Sequence, residues 1–231
     1  RALLFEPIRV DGESMRDTLQ DNEIVLVTKP DYLAGNFNRG DVIICRYPNR
    51  NSKTSLPDTF ALDLQEYEGI PVDSQLLIQL KSMVRAAAAE NVTLQVEQGY
   101  VAEEALQKNF DDTVSRLVSE GRSKAKAEAE ALKTTLPAGK NEWSTGLLIR
   151  FANPGGGDFS NSDAYKWLSD HSVDYGFVIR YPENKTEVTG IETAQPQVFR
   201  FVGVENAKKM RALAFCVEEY ADYIQEQKAG Y

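Results

Sequence analysis

The stretch AYKWLSDHSVDYGFVIRYPENKTEVTGI, residues 164 to 191, carries most of what the sequence says about the fold. Read with the residues before it, SDAYKWLSDHS spaces its apolar side chains as a helix, and GFVIRYP is a strand. TEVTGI reads as a turn into a further strand. Upstream, GLLIRFAN is strand-like and NPGGGDF is a loop. Downstream, VFRFVG is a strand and ENAKKMRALAFCVEEYADYIQEQ a single amphipathic closing helix. VDSQLLIQLKSMVRAAAAEN shows helical spacing that ends at Asn91, VTLQVEQGY alternates as a strand, and Ala102 to about Leu136 reads as helix throughout. Helices and strands alternate irregularly, which predicts an α+β fold rather than a doubly wound sheet.

The first fifty residues have a different character. Apolar runs LLFEPIRV, NEIVLVTK and DVIICRY are separated by DGESMRDTLQD and the polar loop PDYLAGNFNRG. This is a small β unit. Three strands without a covering layer are marginal alone, so the unit is expected to pack on the rest of the chain. The polar stretch NSKTSLP, residues 51 to 57, is the predicted junction.

At 231 residues, with 42% apolar and 26% charged side chains, the chain has the make-up of a globular protein with a real core. Its formal net charge of −9 excludes duplex nucleic acid as a partner, because neutralising phosphates needs a basic face. Cys45 and Cys216 are read as two separate buried thiols, with a disulfide left open by spacing alone. Two cysteines and one histidine, His171, make no metal motif. No apolar run approaches the ~18 residues of a membrane span. The chain opens at Arg1 without an initiator Met, so a longer parent protein is expected, with room for a membrane anchor before this sequence.

From about Leu56 to Ile224 the sequence resembles the VanY-type D-Ala-D-Ala carboxypeptidases of the zinc-dependent M15 family. STGLLIRF (144 to 151), the 164 to 191 stretch and VFRFVGVENAKKM (198 to 210) carry the resemblance, with LQVEQGY (94 to 100) adding a weaker match. It implies a central antiparallel sheet with flanking helices. It also shows where this chain departs. The family writes one signature like H-Q-T-G-L-x-x-D, and here WSTGLLIR puts Trp143 at the His position and Arg150 at the Asp position. The other is like E-P-W-H-F-R-Y-V-G. Here QPQVFRFVG puts Gln195 at the Glu position and Val198 at the second His. A substrate-binding Arg usually follows the S-G-Y turn, and Val101 stands there, just after Tyr100.

Indole and isopropyl groups offer zinc no lone pair, Arg150 places a fixed positive charge where the cation should sit, and Gln195 cannot take a proton from water. The expectation is therefore no metal and no cofactor, with Trp143, Arg150, Gln195 and Tyr100 as the candidate peptide-binding set. Glu142 and Asp158, near the lost site in sequence, are read as solvated surface carboxylates, and His171 as a capping or packing residue.

Residues 4 to 47 resemble the start of type I signal peptidases through PIRVDGESMRDTL, NEIVLVTK and FNRGDVIICRYP. In that family the Ser of G-x-S-M is the nucleophile, which implies Ser14, and a buried lysine is its base. Lys53 is the nearest candidate by spacing, but its flanks are polar. The sequence thus predicts two parts: a signal-peptidase-like β segment over 1–50 and a VanY-like domain over 51–231. The leading reading is a catalytically degenerate cell-envelope protein that binds a peptidoglycan stem peptide or a protein partner without cutting it, outside the cytoplasm. The alternative is a serine endopeptidase using Ser14 with a lysine base.

Overall fold

The computed structural model describes Phe5–Arg9, Ile24–Thr28 and residues 62–229. Two compact units divide the chain at Tyr47 and Pro48. In the first, β1 (Phe5–Arg9) pairs antiparallel with β2 (Ile24–Thr28), Pro7 opposite Leu26. The third run expected there, DVIICRY, lies outside the described residues, as do Ser14, Cys45 and Lys53.

The second unit opens with a hairpin, β3 (Leu64–Tyr67) and β4 (Ile70–Asp73). Its two turn residues, Glu68 and Gly69, have φ of 51° and 81°. That is the pairing of left-handed residues that matches strand twist in a two-residue turn. Asp73 then caps α1 (Ser74–Ala89) by accepting from the Gln75 amide at 3.0 Å. Helix α1 buries Leu76, Leu80, Met83 and Ala87, a stripe at three- and four-residue spacing, and Asn91 beyond its end takes φ 62°.

The central sheet has four antiparallel strands in the order β5 (Val96–Gln98), β6 (Leu148–Phe151), β8 (Gln195–Phe201), β7 (Phe177–Tyr181). Its register sorts the side chains into two faces. Val96 lies opposite Phe151, Ile149 opposite Phe199 and Phe177 opposite Phe201. Most of that face packs with the α1 stripe into the main core, where Phe151 meets Phe199 edge to face at 5.6 Å. Each fully buried Leu or Phe there contributes roughly 1.5–3 kcal/mol. The other face carries Gln98 opposite Arg150, Arg150 opposite Val198, and Leu148 opposite Arg200.

These elements make an α+β fold with a central antiparallel sheet and flanking helices. Three details differ from the sequence reading. The helix expected from Ala102 to Leu136 is two, α2 (Glu103–Ser119) and α3 (Lys124–Ala131), broken where Gly121 adopts φ 94°. The single closing helix is likewise α6 (Val204–Leu213) and α7 (Val217–Ala229), parted at Ala214 in the left-handed region. TEVTGI leads into no strand of its own: Thr186–Thr189 forms the one-turn helix α5, Gly190 caps it, and β8 starts at Gln195. The remaining helix, α4 (Asp163–His171), is capped by Ser162, and the His171 ring packs at a tilt against Trp167, 4.7 Å between ring centres.

Candidate functional site

The polar face of the sheet is built around one tight turn. Glu142–Thr145 is a short 3-10 helix whose cap, Asn141, accepts from the Trp143 amide at 3.2 Å and donates to the Leu136 carbonyl at 2.9 Å. The turn ends at Gly146, with φ 67°, where a β-carbon would come within 2.8 Å of the Asp73 amide. On the neighbouring edge, Gly99 lets β5 approach β4, since a β-carbon there would lie 2.3 Å from the Pro71 carbonyl oxygen. The Val101 amide donates to the Trp143 carbonyl at 3.1 Å, so the strand end and the turn are tied together.

Behind the turn lies a wholly buried ionic cluster. Arg180 Nε donates to Glu142 Oε1 at 2.7 Å, and Arg200 donates to Glu142 Oε2 at 2.6 Å. Arg180 also holds both oxygens of Glu218, at 2.5 and 3.1 Å. All four side chains are 0–1% exposed. Burial alone would pull the Arg180 pKa down, yet Glu142 and Glu218 hold it well above its ordinary value. Glu142 is therefore no surface carboxylate. Its two arginine partners are remote in sequence, and a buried carboxylate is tenable only when answered in this way. Asp158 is exposed, and its carboxylate accepts from the Ser160 amide at 2.9 Å.

In front of the turn opens a cavity of about 470 Å³. It brings together Trp143, Arg150 and Gln195, three of the four residues expected to bind; Tyr100 is not among its lining residues. Tyr100 is half-buried and its amide donates to the Pro71 carbonyl at 2.7 Å. Gln98 takes that place in the lining, opposite Arg150 on the neighbouring strand. Tyr181 also lines the cavity; burial, against the pull of Arg180, raises its phenol to about 12. The Arg180 guanidinium lies 4.4 Å from the Tyr181 ring centre.

Among the described residues of that lining, Arg150 alone is charged. Its guanidinium lies 5.5 Å from the centre of the Trp143 ring, within reach of cation–π attraction. Its Nε is buried and has no hydrogen-bond partner, and no described carboxylate forms an ion pair with it. Val198, directly opposite, is fully buried in an apolar cluster with Trp143, Leu148, Leu106, Leu136 and Ile191. Among the described residues, no three His, Cys, Asp or Glu side chains come together to hold a metal. An indole N–H, a guanidinium, a carboxamide and an isopropyl group do not fit a zinc ion either.

The model of the VanY D-alanyl-D-alanine carboxypeptidase family matches residues 69–204. The chain belongs to this family. A D-alanyl-D-alanine carboxypeptidase of Enterococcus faecalis is 32% identical over 171 residues, which are 74% of this chain and 63% of that relative. The chain thus spans less than two thirds of the relative's length. Among solved structures, VanYB in complex with D-alanine-D-alanine is 31% identical, with a TM-score of 0.66 over 75% of this chain and 95% of its own. A mutant of the vancomycin-resistance D,D-pentapeptidase VanY, solved in complex with Zn(II), superposes with a TM-score of 0.65 at 31% identity, covering 74% of this chain and 96% of its own. Signal peptidase I P of Bacillus subtilis subsp. natto is 52% identical over 44 residues, 19% of this chain and 24% of that protein.

Proposed function

We propose that residues 51–231 form a metal-free VanY-like domain that binds a peptidoglycan stem peptide in the family cleft and does not cut it. The observation that carries this reading is what fills the place where the family's pattern puts its metal ligands. There the chain keeps a packed hydrocarbon cluster of Trp143, Leu148 and Val198 and one guanidinium, Arg150. A zinc peptidase needs a Lewis acid or a base to activate water, and a carboxamide at 195 supplies neither. What remains is a walled cavity with one cation and several amides, which suits holding an anionic peptide. The binding set is Arg150, Trp143 and Gln195, joined by Gln98 and Tyr181, with Tyr100 contributing through the segment its amide ties to the Pro71 carbonyl.

A protein that binds such a peptide works outside the cytoplasm, at the envelope. The 1–50 segment we read as a separate signal-peptidase-like β unit kept for structure or docking, since the similarity reaches only 24% of the peptidase it matches.

Three measurements on the whole chain test this. After exposure to excess zinc and dialysis, elemental analysis should find far less than one zinc per chain. Incubation with a D-Ala-D-Ala-ended peptide should release no D-alanine. Calorimetric titration with stem peptides should still give saturable binding. Stoichiometric zinc that resists dialysis, or D-alanine release, overturns the reading.

A further inference from the structure

The position of the cleft's charge says which peptide it suits. Among the described residues that line the cavity, Arg150 alone is charged. Among the described residues no acidic side chain joins that lining. Arg150 is half-buried, lines the cavity and has no described ion pair, so its guanidinium fits an acceptor brought by a ligand. A carboxylate answers it best, because two oxygens match the planar fork. Trp143 holds one side of that fork.

The far end of a peptide meets something different. At 101, where the resemblance implies a substrate-binding Arg, Val101 packs against the cluster of Leu106, Leu136 and Ile191. The cation of this cleft has in effect moved from position 101 to position 150. Position 150 is where the family's pattern places a metal ligand, so it lies beside the bond a carboxypeptidase would cut. In an uncut peptide that place receives a neutral carbonyl, and the terminal carboxylate lies one residue further on, against Val101. Once the last residue is gone, the same carbonyl carbon carries the new carboxylate.

We infer that the cleft is a reader of trimmed stem peptides, those that have already lost the terminal D-alanine, with the new carboxylate on Arg150. This rests on the peptide-binding reading above and makes it specific: the domain recognises what its relatives' reaction would leave behind. The apolar patch around Val101 excludes the uncut peptide by leaving its carboxylate desolvated and unpaired.

The test is calorimetric titration of the whole chain with three probes: diacetyl-L-Lys-D-Ala, the same peptide as its C-terminal amide, and diacetyl-L-Lys-D-Ala-D-Ala. The shorter acid should bind at least about tenfold more tightly than either other probe, as expected when one charge-assisted hydrogen-bonded pair separates them. Arg150→Met should erase the difference while the variant melts as the wild type does. Val101→Arg should shift preference toward the longer peptide. If the longer peptide or the amide binds as well as the shorter acid, the inference falls and peptide binding stands. If no probe binds, both fall.

Discussion

Three arginines project from one face of the same sheet, and they live under opposite regimes. Arg180 and Arg200 are 0–1% exposed and meet Glu142 and Glu218 at hydrogen-bonding distance. Arg150, opposite Val198 on the adjoining strand, has a buried Nε with no acceptor and an aromatic ring for company. The two regions are neighbours in sequence as well: Glu142 precedes Trp143, and Arg180 precedes Tyr181. Where charge holds the turn in place, the chain provides opposite charge. Where charge faces the cavity, the described residues provide none. An unanswered guanidinium beside a fully answered pair of them marks a site by contrast, in a way that no single residue type could.

The contrast breaks most violently at Glu142. Glu142→Gln keeps the shape of the side chain but removes the carboxylate that the buried guanidinium groups of Arg180 and Arg200 both meet. Losing one partner of a buried ion pair typically costs about 3–5 kcal/mol, because the surviving charge stays desolvated. Urea unfolding should show a loss of that size. A loss below about 1 kcal/mol, the size of a surface pair, would mean the cluster is hydrated and the contrast with Arg150 is unfounded.

Tyr181 joins the two regions, since its ring lies by the Arg180 guanidinium and its side chain lines the cavity. Burial raises its phenol to about 12. The unfolded chain ionises near pH 10, so it releases its proton first as pH rises. The neutral phenol's contribution is therefore intact below about pH 10 and is lost between about 10 and the folded value of about 12. The loss is on the order of 2 kcal/mol. Tyr67 and Tyr220 are raised as well, so the informative quantity is the difference between wild type and Tyr181→Phe. The variant should show a shallower decline in urea-unfolding stability between pH 9 and pH 12, by about that amount. Equal declines would place the Tyr181 hydroxyl in solvent.

Much of the second unit was legible in the sequence. Strand and helix periods gave β6, β7, β8 and α4, and the two signatures placed Trp143, Arg150 and Gln195, which the fold gathers around one cavity. What escaped depends on pairings distant in sequence. Glu142 looked like a surface acid because its partners stand 38 and 58 residues away, and no local pattern joins them. Tyr100 looked like a cleft residue and Gln98 did not, because strand pairing, which sets Gln98 opposite Arg150, is invisible in a single stretch. The breaks at Gly121 and Ala214 were missed because helical composition runs through both; each is a left-handed residue at a helix end. A lone Gly or Ala in such a run is a weak stop signal.

The smallest effect on the fold is expected at Arg150, and it decides most about function. Arg150→Met removes a charge and keeps much of the side chain's reach along the Trp143 ring. If the guanidinium were structural, its loss would resemble that of Glu142. Instead it has no described ion pair to break, and its buried Nε is a polar atom already left unmet. Removing an unsatisfied buried donor returns some of its desolvation penalty, while the lost cation–π attraction takes back about 0.5–1 kcal/mol. The two should nearly cancel, leaving urea stability within about 1 kcal/mol of wild type. Peptide affinity should drop at least about tenfold in the same preparation. A protein that keeps its stability and loses its ligand locates the charge in the site; one that loses stability as Glu142→Gln does would return Arg150 to the scaffold with its two neighbours.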